Sequence, residues 1–135
     1  MKNKFSNLEI AVMKALLMGE DHVLKILSSQ FKNAVLKERK MTGTGFFVNF
    51  EFPSTVLKLT PSKTFRFGDV GANISGLLNG AGFLLFVKDG LIDSLEGYSY
   101  EEPWPNNTDK FEIFYISDGK PSVNRDLNRT KSLDL

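Results

Sequence analysis

The sequence predicts an α+β fold, with an N-terminal helical hairpin packed on a mostly antiparallel sheet of four to six strands. Three observations carry this. Apolar residues recur at helical spacing from Leu8 to Ala34, a two-residue alternation replaces that spacing from Phe46 onward, and Asp89-Gly90 stands between two apolar runs where a hairpin turn belongs. A chain of 135 residues with 41% hydrophobic content and twelve phenylalanines can also bury a substantial core.

The first helix is defined by its start. Ser6 and Glu9 have the spacing of a capping box, Phe5 and Ile10 flank it as a hydrophobic staple, and Leu8, Val12, Ala15 and Leu16 follow on one face. Gly19 stands where a left-handed cap ends such a helix. Asp21 is the expected N-cap of a second helix, whose stripe is Val23, Leu24, Leu27, Phe31 and Ala34. Lys37 to Lys40 either prolong that helix or form a charged edge strand, in which lysines discourage pairing with other chains.

Thr42-Gly43-Thr44-Gly45 breaks the chain, and Phe46 to Phe52 then alternates strictly, with Phe46, Val48, Phe50 and Phe52 on the buried side. Residues 53–63 read as a connection. Between Phe65 and Ile74 the alternation changes phase at Gly68-Asp69, as a bulge would cause. Phe83 to Val87 is apolar at every position and is expected to be the central strand; Leu91 to Tyr100 returns beside it. Phe111 to Ile116 is a further strand. Residues 1–117 are expected to form one α+β domain, and the polar residues 118–135 a flexible tail.

Composition excludes several classes of function. With no cysteine there is no disulfide, thiol nucleophile or thiolate metal site. The net charge of +1 provides no global field for nucleic acid or anionic lipid, so a nucleic-acid partner is disfavoured. The charge is nevertheless uneven: residues 1–40 carry eight Lys/Arg against four Asp/Glu, and residues 64–105 carry two against six. Glu9 and Lys14 interrupt what would otherwise be a signal-peptide core, and no run reaches the roughly 20 apolar residues needed to span a bilayer, so a cytoplasmic location without membrane association is expected.

No group of residues has catalytic spacing. His22, the single histidine, is expected to be exposed at a helix start, and Gly43-Thr44-Gly45 lacks the remainder of any phosphate-binding loop. Phe47 and Phe67 would stack bases only if exposed, and Lys63 and Arg66 are a thin supply of cations for an RNA-binding sheet. Glu96, Glu101 and Glu102 would form a carboxylate or divalent-metal site only if brought together, and a solvated acidic rim is the simpler expectation. Neither a metal nor a cofactor is expected.

The remaining feature is Leu95 to Pro105, which holds the only tryptophan and two of the three tyrosines, together with three glutamates. Prolines on both sides of Trp104 stiffen it. Tyrosine and tryptophan are typical interface anchors, yet a loop tryptophan as readily folds back to cap a core. Glu96, Tyr98, Tyr100, Glu101, Glu102 and Trp104 are the candidate binding residues.

Thr42-Gly43-Thr44-Gly45-Phe46-Phe47, Gly80 to Gly90, and Leu95 to Tyr100 with Trp104-Pro105 together resemble a family of short uncharacterised bacterial proteins with a TGxGFF strand and a GFxLFxxDG…LEGYxYxxxWP hairpin. The resemblance spans residues 8 to 117 and implies fold rather than activity. The sequence thus points to a small non-enzymatic bacterial protein that binds another protein through an acidic aromatic loop, an immunity-type inhibitor being one form of it. A carboxylate-based or metal-dependent enzyme and a sheet-face RNA-binding module are the alternatives. The oligomeric state is open, a homodimer included.

Overall fold

The computed structural model describes residues 4–126. Two short helices, α1 (Asn7–Leu16) and α2 (His22–Lys32), precede eight strands. These are β1 (Val35–Met41), β2 (Gly45–Glu51), β3 (Phe65–Phe67), β4 (Val70–Ile74), β5 (Ala81–Lys88), β6 (Leu91–Ser99), β7 (Phe111–Ser117) and β8 (Lys120–Ser122). All belong to one sheet in the order β1-β2-β6-β5-β4-β7-β8, with β3 pairing β5 beside β4, and every ladder is antiparallel.

The helix starts follow from local chemistry. The Ser6 hydroxyl accepts from the Glu9 backbone N–H at 3.1 Å, and the Glu9 carboxylate accepts from the Ser6 N–H at 2.8 Å, closing the capping box. Asp21 occupies the N-cap of α2, but its side chain makes no capping bond. Phe5 packs against Phe31 and Phe50, so the staple residue joins both helices to the sheet. At the centre of the sheet, the β5–β6 hairpin turns on Asp89 (φ 51°) and Gly90 (φ 81°), the two positive φ angles of a type I′ turn.

Alternation gives the sheet two unlike faces. Leu36, Phe46, Val48, Phe50, Phe83, Leu85, Val87 and Leu95 point inward and share one core with Leu8, Val12, Leu16, Leu24 and Leu27 from the helices. Helix α1 lies over β4 and β7, and α2 over β6. The opposite face, away from both helices, displays Phe47, Leu84, Phe86, Tyr98 and Phe114, all of them half-buried.

Three expectations change. The sheet has eight strands rather than four to six: the Val35–Met41 segment is the charged edge strand rather than helix, the break at Gly68-Asp69 divides one run into β3 and β4, and β8 lies inside the segment read as tail. Phe83 to Val87 is central, but it is fully buried on one side only, because Leu84 and Phe86 face outward. Within residues 118–126, Asp118 (φ 53°) and Gly119 (φ 74°) turn the chain from β7 into β8, and Arg125 is buried against Asp69. The rest of that expected tail, residues 127–135, lies outside the described residues.

Two buried polar clusters hold the layers in register. The side chain of Gln30, 0% exposed, donates to the carbonyls of Leu57 and Gly90 at 2.9 Å each and accepts from the Ile92 N–H at 2.9 Å. It thereby satisfies backbone groups of the 53–63 connection and of the central hairpin that the sheet leaves unpaired. Arg125 Nε and Nη2 each donate to the Asp69 carboxylate at 2.9 Å, while Nη1 and Nη2 donate to the carbonyls of Met18 and Leu16 at the end of α1. Its guanidinium also lies 4.9 Å from the Tyr115 ring centroid, and Tyr115 Oη donates to Ala15 O. A cation on the last carbonyls of a helix complements the helix dipole as well as the carboxylate.

Candidate functional site

The six candidate residues start on β6 and end beyond it, and they separate onto different surfaces. β6 lies between β2 and β5, so each of its outward side chains has a neighbour on both sides. Glu96 stands between Phe47 and Leu84, and Tyr98 between Gly45 and Gly82. The Tyr98 ring lies across Gly82: a Cβ there would come within 2.5 Å of Tyr98 Cζ and Oη, so glycine at 82 is what lets the ring lie flat on the sheet. Tyr100, 50% exposed, meets Tyr98 edge to face with centroids 5.8 Å apart.

Burial holds the Tyr98 hydroxyl above the usual phenol range, and Tyr100 and the Glu96 carboxylate push it in the same direction. Glu96 and Tyr98, two residues apart on β6, share the outer face of the sheet. Glu96 itself is half-buried and has neither a hydrogen-bond nor an ion-pair partner among the described residues.

Past Ser99 the chain turns sharply. Glu101 adopts φ 66° and is exposed. The Ser99 hydroxyl bridges the carbonyl and N–H of Glu102, closing the turn. The Glu102 carboxylate accepts from the N–H groups of Leu78 and Asn79 at 2.8 and 3.0 Å, tying the loop to the β4–β5 connection. Trp104 N–H donates to Gly43 O at 2.9 Å, and its ring meets Phe46 at 5.3 Å on the helix side of the sheet. Phe46 in turn lies over Gly97, where a Cβ would come within 2.3 Å of its ring.

The sequence-predicted residues therefore fall into two groups. Glu102 and Trp104 fasten the loop and cap the core. Glu96, Tyr98, Tyr100 and Glu101 remain on the outer face or at its rim. The three glutamates make no shared site, since the Glu102 carboxylate is occupied by backbone donors, and no cluster of three His, Asp or Glu among the described residues could hold a metal ion. His22 is exposed at the start of α2.

The sequence raised Phe47 only as a base-stacking residue on an exposed sheet face, and did not assign Leu84 and Phe86 to this surface. They continue the aromatic patch along the sheet, and a groove of about 480 Å³ lined in part by Phe47, Phe65, Arg66 and Phe86 opens at its far end. The signal that could have placed them is the strict alternation itself: once Phe46 and Leu85 face the core, Phe47, Leu84 and Phe86 cannot.

No protein-family model, curated protein or solved structure matches this chain. What the surface can do is read from its own geometry. Half-buried aromatic rings on a rigid sheet, with a carboxylate among them that no described residue pairs, are suited to recognition. Among the described residues no helix is long and apolar enough to cross a membrane.

Proposed function

We propose that this chain is a small non-enzymatic binding protein that recognises another protein through the outer face of its sheet, centred on Tyr98. The observation that supports this most is that Phe47, Leu84, Phe86, Tyr98 and Phe114, all half-buried, share the face turned away from both helices. Contiguous apolar surface of this kind is normally covered in a core or by a partner. A strand surface is also a rigid platform, so little ordering entropy is lost when a partner docks, and the adjacent groove can take an apolar anchor. An immunity-type inhibitor, which acts by occupying the surface of another protein, is one form this function takes.

Affinity capture with the full chain, from an extract of the organism that encodes it, tests the reading. A Tyr98→Ala, Phe86→Asp double variant is expected to stay folded and to lose the partner retained by the native chain, while Trp104→Phe keeps it. Retention of the same partner by the folded double variant would contradict the proposal.

A further inference from the structure

We infer that the partner presents a basic surface, and that one of its arginine or lysine side chains lies across Phe47 and Tyr98 to pair with Glu96. This rests on the reading of the outer face as a protein-binding surface. The charges on that face carry it. By ladder register, Glu38, Glu51, Glu96 and Glu112 point outward against Lys40, Arg66 and Lys88, and Asp93 at the groove and Glu101 at the rim add two further carboxylates. The helices and the segments flanking them are cationic by a single charge, with Lys4, Lys14, Lys25 and Lys32 against Glu9, Glu20 and Asp21 in residues 4–34. The apolar face is thus the acidic one, which repels phosphate backbones and attracts cationic protein surface.

Within that field Glu96 is singular. It sits in the middle of the sheet, flanked directly by Phe47 and Leu84, and its carboxylate acts on the Tyr98 hydroxyl. None of the described residues supplies it with a donor. The two fully buried carboxylates, Glu9 and Asp69, each hold an arginine in a bidentate pair. A carboxylate beside aromatic faces is a receptor for a guanidinium or ammonium group, which gains a charge-assisted hydrogen bond and a cation–π contact together. A docking partner that left Glu96 unpaired would pay its desolvation with no return.

The test is an NMR titration of the isotope-labelled full chain with three probes: an acetylated, amidated hexa-arginine peptide, a hexa-glutamate peptide and a twelve-nucleotide poly-U RNA. The arginine peptide is expected to shift the amides of residues 47, 84 and 94–100, weakening as salt rises, while the other two probes leave them unmoved. Glu96→Gln should weaken that binding about fivefold, as loss of roughly one charge-assisted contact predicts, and Glu112→Gln, at the far edge of the same face, should change it little. Shifts spread over unrelated acidic residues, equal binding by Glu96→Gln, or shifts induced by the RNA would each overturn the inference. Such a failure is separable from failure of the broader reading: a Tyr98/Phe86 variant that loses its captured partner while hexa-arginine ignores Glu96 leaves the binding face standing and removes only the basic partner.

Discussion

Asp69, in the break between β3 and β4, and Glu96, on β6, are carboxylates of one sheet, and their surroundings differ at every level. Asp69 is 3% exposed, and its two oxygens take two donors from Arg125, two further N–H groups of which go to the carbonyls of Leu16 and Met18 at the end of α1. Glu96 is half-buried among aromatic side chains and has no donor among the described residues. The first arrangement closes on itself: helix, strand and C-terminal segment are fastened through one saturated ion pair. The second is open on the side facing solvent. Charge that is satisfied internally holds the fold, and charge left unsatisfied on a rigid apolar face is available to something else.

The comparison can be broken most severely at the clasp. Arg125→Ala leaves the Asp69 charge buried without a partner and frees the last carbonyls of α1, so denaturant unfolding should show a loss of about 3–5 kcal/mol. Replacing both residues together, as Arg125→Met with Asp69→Leu, should recover most of that loss, since a buried pair is often no better than apolar packing. Next in size is the edge of the loop. Trp104→Ala removes a half-buried ring from Phe46 and should cost about 2 kcal/mol by the same measurement, less than a fully buried tryptophan would.

A smaller effect sharpens the outer face. Tyr100→Ala and Glu101→Ala touch neither the core nor a backbone donor, so their stabilities should stay within about 0.5 kcal/mol of the native chain, while partner capture falls with Tyr100→Ala. The smallest is a pH effect. The Tyr98 phenol is raised above its ordinary value near 10, chiefly by burial, so the folded state keeps a proton that the unfolded chain gives up. Its contribution is present below the unfolded value and is lost as pH rises through and beyond it. Stability should decline above about pH 10, and Tyr98→Phe should soften that decline; Tyr115, raised in the same direction by burial, supplies the part that remains.

Much of this fold was legible in the sequence because its signals are local. The Ser6–Glu9 capping box, the alternation from Phe46 and the Asp89-Gly90 turn each need only a few neighbouring residues, and each appears in the structure. Asp118-Gly119 carries the same turn signal, but it stands in a polar stretch with no apolar run after it, and so β8 went unread. The long-range polar contacts left no trace. Arg125 and Asp69 are 56 residues apart, and an arginine in a polar terminus looks solvated. Gln30 reads as the polar side of α2, yet it is buried because the backbone groups of Leu57, Gly90 and Ile92 satisfy its side-chain amide.

The candidate site was legible in composition and not in geometry. The sequence placed Glu96 to Trp104 in one acidic aromatic segment, but the positive φ of Glu101 reverses the chain within it. That turn sends Trp104 to the helix side against Phe46 and leaves Tyr98 and Tyr100 outside. Nothing in the order of the residues specifies which side of the sheet each half reaches.

The most direct test of the division between closed and open carboxylates is a pair of isosteric changes, Asp69→Asn and Glu96→Gln, compared by equilibrium denaturation under one set of conditions. Each removes a charge and keeps the shape. Asp69→Asn should lose about 3 kcal/mol, because Arg125 is then buried without its counter-ion, and Glu96→Gln should lie within about 0.5 kcal/mol of the native chain. Equal losses, or a larger loss for Glu96→Gln, would show that Glu96 is part of what holds the fold and contradict its assignment to an open binding face.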